Sequence, residues 1–315
     1  MKNARSPLQV RIDQLRVRLW YTWIRYKSQL TAYYALEKRL IRAGFARSAS
    51  GVLSHRNRIA GYAQGKHVPR PDFVDHVETV FAGSRVFLEH VYWQILDPGL
   101  DIMEHRSAWL AELGADVHQI LFEPTQMATD RLAKRRKANS RHLRQLENLG
   151  TFEALAATAF LLREAQAENN MDLAFACARS FWVVLLLIGS SIPFLNILPA
   201  LTHLAGVTLL DQVQYQGEQV AIAGVPIGRY ESMLRNYCLA MEDSGQIHWD
   251  WASWVRERLL LIRGAKGSDA FRALRLPTIA TPELQADPSR YLTFLYNEVS
   301  RATTFAYLAD EMADE

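Results

Sequence analysis

The residues best suited to binding chemistry lie between His55 and Pro69, in the stretch HRNRIAGYAQGKHVP. Ile59 and Tyr62 are three residues apart, so they share one face of a short helix and are predicted to pack inward. The other side chains then project to solvent, where cationic and amide groups can bind phosphate oxygens and base edges. The residues that we expect to contact a nucleic acid are Arg56, Asn57, Arg58, Gly61, Gln64, Lys66, His67 and Arg70.

The distribution of charge supports a polyanionic partner for this part of the chain. The net charge of the 315 residues is only +3, but the first seventy contain fifteen Lys and Arg against two acidic residues, Asp13 and Glu37. After Arg70, acidic residues outnumber basic ones by ten. A basic head on an acidic body is typical of a protein in which one region meets nucleic acid. A solvated basic helix face, or a head that docks on its own acidic body, would produce the same distribution.

Apolar spacing predicts an all-α, multi-helix protein whose N-terminal region positions this stretch. Pro7 is placed near the start of a first helix whose apolar stripe is Val10, Ile12, Leu15, Leu19 and Trp23. Further helices are predicted over Lys27–Arg42, from a Ser54 cap to Gln64 with Gly65 as the stop, from Pro71 onward, and over Val86–Leu96.

The pattern Ile59, Tyr62, Gly65, Lys66, Pro69 resembles the third helix and exit turn of Cro/CI-type (XRE-like) helix-turn-helix DNA-binding proteins. The resemblance covers roughly residues 30–96. It implies that a helix at 55–64 enters the major groove, that Asn57, Arg58 and Gly61 occupy base-reading positions, and that Lys66 contacts phosphate. The second helix of the family normally carries T-Q-x-x-L-A-x-x-x-G, and the chain has Gly44–Leu53 in its place.

Asp97-Pro98-Gly99 is the strongest break in the sequence, and it predicts two domains, 1–98 and 99–315. The second is predicted to be a helical effector or oligomerisation domain, with helices over Met103–Leu121, Leu132–Leu149, Thr151–Gln166, Asp172–Ile188, Tyr230–Met241, Trp249–Arg263 and Ser289–Met312. Alternating residues on either side of Gln216-Gly217-Glu218 predict at most one small hairpin, over Val213–Ile222. The tryptophan-rich helix at 249–263 is interpreted as core or a subunit interface.

A second basic run, Lys134-Arg135-Arg136-Lys137, could extend a phosphate-binding track, although such runs are more often solvated. Arg136 and His142 also loosely resemble the R-x4-6-H motif of HEPN ribonucleases, with Lys137 where that motif usually has a polar residue.

The segment Ser180–Leu210 contains no charged residue, and Phe181–Ile188 is continuously apolar. Its length permits a membrane span. Gly189, Pro193, Asn196 and Pro199 instead favour two short buried helices joined by a bend, so a membrane partner is the less favoured interpretation.

Other chemistries find little support in the sequence. Gly61 to His67 has three residues between its glycines where a P-loop needs four, and His67 stands where Ser or Thr would bind magnesium. No H-E-x-x-H motif or Cys/His cluster indicates a metal, no dinucleotide fingerprint indicates a cofactor, and no nucleophile elbow indicates an enzyme. Cys177 and Cys238 are isolated, which is typical of a reducing cytoplasm.

The sequence therefore predicts a cytoplasmic DNA-binding protein, most simply a bacterial or phage transcriptional regulator. Reading a palindromic site requires two copies, so we expect a homodimer. The alternatives are a helical defence-type effector, membrane-acting or HEPN-like, that uses the basic head for recruitment, and a scaffold whose head docks on an acidic protein.

Overall fold

The computed structural model describes residues 5–41, 57–123, 135–248 and 250–311. The helices are, in chain order, α1 (Pro7–Ser28), α2 (Tyr33–Leu40), α3 (Arg58–Ala63), α4 (Pro71–Val80), α5 (Arg85–Glu89), α6 (Tyr92–Ile95), α7 (Ile102–Glu112), α8 (Ala115–Leu121), α9 (Ser140–Leu149), α10 (Phe152–Ala167), α11 (Met171–Gly189), α12 (Ile192–Leu195), α13 (Leu198–Ala205), α14 (Ile227–Asp243), α15 (Trp251–Ile262), α16 (Ser268–Ala273), α17 (Pro282–Gln285) and α18 (Pro288–Glu311). The strands are β1 (Gln214–Tyr215), β2 (Glu218–Val220) and β3 (Thr278–Ala280).

The fold class predicted from apolar spacing is confirmed, because helices dominate and the strands form one small antiparallel sheet in the order β1-β2-β3. The hairpin turns at Gln216 and Gly217, both of which have positive φ, as a tight two-residue turn requires. The alternation of apolar residues does not predict the third strand, β3.

The chain divides into two compact units. The first comprises residues 1–97 together with Ser191–Leu201, and the second comprises 98–190 and 202–315. The division after Asp97 falls within the predicted break Asp97-Pro98-Gly99. The sequence places Ser191–Leu201 in the second domain, whereas the structure places this segment in the first unit.

The first unit is built on α1, which begins at Pro7 with the Ser6 hydroxyl accepting a hydrogen bond from the Gln9 amide at 3.1 Å. Ile12, Leu15 and Leu19 are buried as predicted, whereas Val10 is 41 % exposed and lies off the buried face. The core around α1 consists of Val17, Trp20, Tyr21, Trp23, Ile24, Leu36, Leu40, Ile59, Tyr62, Val74, Val77, Phe81 and Leu88. This core fixes α2, α3 and α4 against one helix.

The segment Ser191–Leu201 packs into the first unit through α12. The Arg18 guanidinium donates a hydrogen bond to the carbonyl oxygen of Asn196 at 3.0 Å. The rings of Phe87 and Phe194 meet edge to face, with centroids 6.4 Å apart. A charged and an aromatic contact thus attach a distant part of the sequence to this unit.

The second unit is centred on α10 and α11, whose facing residues are almost completely buried. Ala154, Ala157 and Ala159 of α10 are completely buried, and their small side chains allow neighbouring helices to pack closely. The Trp182 indole donates to the carbonyl oxygen of Leu274 at 2.9 Å, which satisfies its polar atom within the core.

Several helices of the second unit are shorter than the sequence predicts. Met103–Leu121 forms two helices, α7 and α8, and Met103 is exposed. The helix predicted over Leu132–Leu149 begins only at Ser140, because the Asn139 side chain caps it by accepting from the amides of Arg141 and His142. Residues 124–134 lie outside the described residues.

Candidate nucleic-acid interface

The helix that carries the predicted contact residues starts later than its sequence suggests. The sequence predicts a Ser54 cap and a helix at 55–64, but Asn57 has a left-handed backbone (φ +50) and α3 runs only from Arg58 to Ala63. Asn tolerates this conformation better than most residues, so Asn57 is suited to precede the helix. Ser54, His55 and Arg56 lie outside the described residues.

The start of α3 is held by a side chain from α2. Glu37 is 1 % exposed, and its Oε1 accepts a hydrogen bond from the backbone amide of Arg58 at 3.3 Å. A free amide at a helix start carries partial positive charge, which a carboxylate stabilises. One of the two acidic residues of the basic head therefore positions α3, a role that its isolation in the sequence does not reveal.

The inner face of α3 is the one that the spacing predicts. Ile59 and Tyr62 are 2 % and 8 % exposed. The Tyr62 ring stacks on Phe73 with centroids 5.6 Å apart and meets Trp20 edge to face at 5.7 Å. Burial raises the pKa of the Tyr62 hydroxyl above its ordinary value, so this side chain stays neutral. The aromatic cluster anchors the short helix on α1 and α4.

The end of α3 is a complete Schellman motif. The Gly65 amide donates to the carbonyl oxygen of Tyr62, and the Lys66 amide donates to that of Gly61, both at 2.9 Å. Gly65 has φ +67, and a Cβ at this position would lie 2.7 Å from the carbonyl oxygen of Gln14 on α1. Glycine at this position thus allows both the left-handed turn and the close approach of that turn to α1.

The outward side of α3 and its exit turn bring the predicted contact residues together. One shallow concavity is lined by Asn57, Arg58, Ala60, Gly61, Gln64, Lys66 and His67. An adjoining concavity shares Arg58 and His67 with it and adds Arg70, together with Tyr62, Val68, Asp72, Phe73 and His76. We call the residues Asn57, Arg58, Gly61, Gln64, Lys66, His67 and Arg70 the α3 surface.

Gly61 lines the first concavity, next to His67. A Cβ on Gly61 would be 3.2 Å from the Cδ2 atom of His67, closer than most such contacts. The absence of a side chain at Gly61 therefore allows the His67 ring to lie against the helix. The resemblance to the helix-turn-helix family gives Gly61 a base-reading position but does not indicate this contact.

The cations of the α3 surface are available for an external partner. Within the described part of the chain, no carboxylate lies within 4.0 Å of the charged groups of Arg58, Lys66 or Arg70. Other basic residues of the first unit are engaged internally. Arg5 and Arg16 bind Asp13, at 2.8 and 2.7 Å, and the Arg39 guanidinium lies 4.9 Å from the centre of the Phe81 ring.

Comparison with protein-family models, curated proteins and solved structures finds no match for this chain. The helix that would precede α3 in the Cro/CI-type arrangement falls on residues 42–56, outside the described residues. The described helix before α3 is α2, which ends at Leu40, two residues before the predicted end at Arg42.

Part of the second basic run is engaged in contacts inside the second unit. Arg135 precedes α9 and binds the buried carboxylate of Glu164, which Arg106 also contacts at 2.8 Å. The Arg135 guanidinium lies 5.3 Å from the centre of the Phe160 ring. An arginine held in this way cannot extend a phosphate-binding track without breaking a buried ion pair. Lys134 lies outside the described residues.

Arg136 and His142, the candidate ribonuclease residues, both lie in the second unit. His142 is only 6 % exposed, and burial, followed by the charge of Arg136, lowers its pKa below the ordinary value. Arg136 donates to the carbonyl oxygen of Ile120 at 3.4 Å.

The charge-free segment and the candidate metal ligands of the sequence can also be compared with the structure. α11 is long and apolar enough to cross a membrane, with a mean hydropathy of 1.9, and 67 % of the relevant window is buried within the protein. Such burial is also typical of a core helix. Among the residues that the structure describes, no group of three or more His, Cys, Asp and Glu side chains could hold a metal ion.

Proposed function

We propose that this chain is a cytoplasmic transcriptional regulator that binds double-stranded DNA through the α3 surface. The observation that carries the proposal is the convergence of Arg58, Lys66 and Arg70, all exposed and without acidic partners in the described residues, around the amide-bearing Asn57 and Gln64. Cations supply affinity for phosphates, and amides supply hydrogen bonds to base edges. The two kinds of group occur together on one face.

The dimensions of the α3 surface are compatible with a major groove. A six-residue helix is about 9 Å long, and the major groove is about 12 Å wide. Because the His67 ring lies against Gly61, the imidazole forms part of the face that a base edge would meet. We assign Lys66 and Arg70 to phosphates and Arg58, Asn57 and Gln64 to base edges.

Rigid support of the α3 surface should strengthen its binding to DNA. Ile59 and Tyr62 are locked in an aromatic core, Glu37 holds the start of α3, and the Schellman turn fixes its end. Side chains on a pre-organised element lose less conformational entropy on binding. The core of the first unit therefore positions the α3 surface for DNA.

A homodimer forms part of the same proposal, and the outward face of α18 supports it. Leu292, Leu295, Val299, Ala302 and Ala306 are exposed and alternate at intervals of three and four residues, the spacing of a coiled-coil seam. We call these five residues the α18 stripe. None of them is charged, so two copies can meet without like-charge repulsion. A neighbouring face of α18 packs on its own unit, where Phe305 stacks on Tyr230 at 4.2 Å.

The deciding experiment is a salt titration of the full chain on random duplex DNA, followed by selection of preferred sites. The logarithm of affinity should fall linearly with the logarithm of salt concentration, and Arg58→Gln with Lys66→Gln should reduce the slope by about 0.9 for each phosphate that is no longer neutralised. Arg229→Gln, an exposed arginine of the second unit, is the matched control. Absence of binding at low salt, or an unchanged slope in the double variant, would overturn the proposal.

A further inference from the structure

A cavity of the second unit lies apart from the α3 surface. Its volume is about 660 Å³, and α9, α11 and the end of α15 form its walls together with α16 and the residues that follow it. Pockets of about 300 to 1,000 Å³ are typical of small-molecule sites. All of its lining residues belong to the second unit.

The walls of this cavity are largely apolar. The apolar lining side chains are Leu143, Phe175, Trp182, Val183, Ile262, Phe271, Leu274 and Leu276. The Trp182 indole nitrogen is already bonded to the carbonyl oxygen of Leu274, so Trp182 offers a ligand only its ring. Phe271 lines the cavity and is 49 % exposed, so its side chain is not fully occupied by internal packing.

Four arginines also line the cavity: Arg144, Arg179, Arg263 and Arg275. Two are compensated, because Arg263 binds Glu147 at 2.8 Å and Arg275 binds Glu218 at 3.1 Å. Arg144 and Arg179 have no carboxylate within ion-pairing distance among the described residues. The excess of positive charge is therefore concentrated on α9 and α11.

The acidic residue of the lining cannot neutralise these two arginines. Glu147 is 8 % exposed, and its carboxylate is occupied by the Ser180 hydroxyl at 2.6 Å as well as by Arg263. These two hydrogen bonds hold the Glu147 carboxylate against Arg263. An anion from solution is the complement that Arg144 and Arg179 lack.

We propose that this cavity binds a small amphipathic anion, with an apolar body against Trp182 and Phe271 and a carboxylate or phosphate head between Arg144 and Arg179. Both heads present the oxygen pairs that guanidinium groups bind in a bidentate manner. The inference is independent of DNA binding, and it gives the second unit a ligand of defined chemistry.

The test uses the full chain and isothermal titration with octanoate and octyl phosphate, each below its micellar concentration, and octylammonium as the cationic counterpart. One or both anions should bind saturably at one site per chain, and octylammonium at least tenfold more weakly. A preference between the anions identifies the head. Loss of a charge-assisted hydrogen bond changes affinity by roughly tenfold or more, so Arg144→Gln with Arg179→Gln should weaken anion binding by at least that factor.

Two further variants separate charge from shape. Ala176→Phe should abolish binding by filling the cavity without altering its charge, whereas Arg229→Gln, outside the cavity, should bind like the parent. Melting curves establish that each variant is folded. Failure of both anions to saturate, equal binding of octylammonium, or full affinity in the folded double-arginine variant would overturn the inference, whatever the outcome with DNA.

Discussion

Gly65 and Gln14 approach each other so closely that a Cβ on the glycine would lie 2.7 Å from the Gln14 carbonyl oxygen and 2.9 Å from its Cα. Gly65→Ala should therefore destabilise the first unit through both backbone strain and overlap. Left-handed backbone costs a non-glycine residue about 1 kcal/mol, and overpacking adds roughly 1 to 3 kcal/mol. Hydrogen exchange of α1 and α3 amides should detect the destabilisation.

Gly245→Ala is the matched control for this prediction. Gly245 ends α14 in the same kind of turn, with φ +72, but no atom lies within 4 Å of the place that a Cβ would take. Gly245→Ala should therefore show only the destabilisation that the left-handed backbone causes. Equal destabilisation by the two substitutions would contradict a packing role for Gly65.

Gln64 and Lys66 should affect DNA binding in different ways. Gln64→Ala should relax discrimination at one base pair by about 1 to 3 kcal/mol while leaving the salt slope unchanged. Lys66→Gln should weaken binding to all sequences and reduce the slope by about 0.9. Competition assays with single-base-pair variants of the selected site distinguish these effects. The assignment of Gln64 to base edges fails if its removal weakens all sites equally.

His142 should make the second unit less stable in mild acid. Its pKa is lowered on folding by burial and by Arg136, so the unfolded chain binds more protons as pH falls below about 6.5. The contribution is present at neutral pH and is lost as pH falls from about 6.5 toward the lowered pKa. Urea unfolding at about pH 7.5, 6.5 and 5.5 measures this dependence.

His142→Gln should flatten the pH profile, and His76→Gln, which alters an exposed histidine of the first unit, should not. RNA cleavage by the parent chain and by His142→Gln, measured in parallel, tests the ribonuclease alternative. A steep profile that survives in His142→Gln would show that another group causes it.

The α18 stripe should hold two copies together. Leu292→Lys with Val299→Lys places charge on two positions that are 66 % and 65 % exposed, so it should dissociate the dimer without disturbing the core. Light scattering after size-exclusion chromatography gives the mass directly. Met103→Lys, at a similarly exposed apolar side chain on α7, should leave the mass unchanged. A monomeric parent chain would rule out this role for the stripe.

The inward face of α3 can be predicted from sequence because it depends on local spacing: Ile59 and Tyr62 recur at the helical interval and both are buried. The start of the helix cannot, because it depends on Glu37, a residue of another helix. The predicted helix over Lys27–Arg42 is wrong in its start for a different reason. α1 continues to Ser28, and Gln29 adopts a left-handed backbone that ends it.

Long-range pairing accounts for the other differences. β3 is three residues long and pairs with β2, which lies far earlier in the chain. Arg135 has the sequence context of a solvated basic run, yet it binds Glu164, a residue of α10. Short elements and buried ion pairs depend on partners that periodicity does not reveal.

The segment Ser191–Leu201 also governs the order in which the protein can be assembled. Ribosomal synthesis delivers residues 1–97 early, yet Phe194 and Asn196, which contact Phe87 and Arg18, emerge much later. The first unit cannot reach its final packing during translation until Leu201 has left the ribosome. A fragment that stops at the apparent domain boundary would lack α12, and DNA-binding measurements therefore belong to the whole polypeptide.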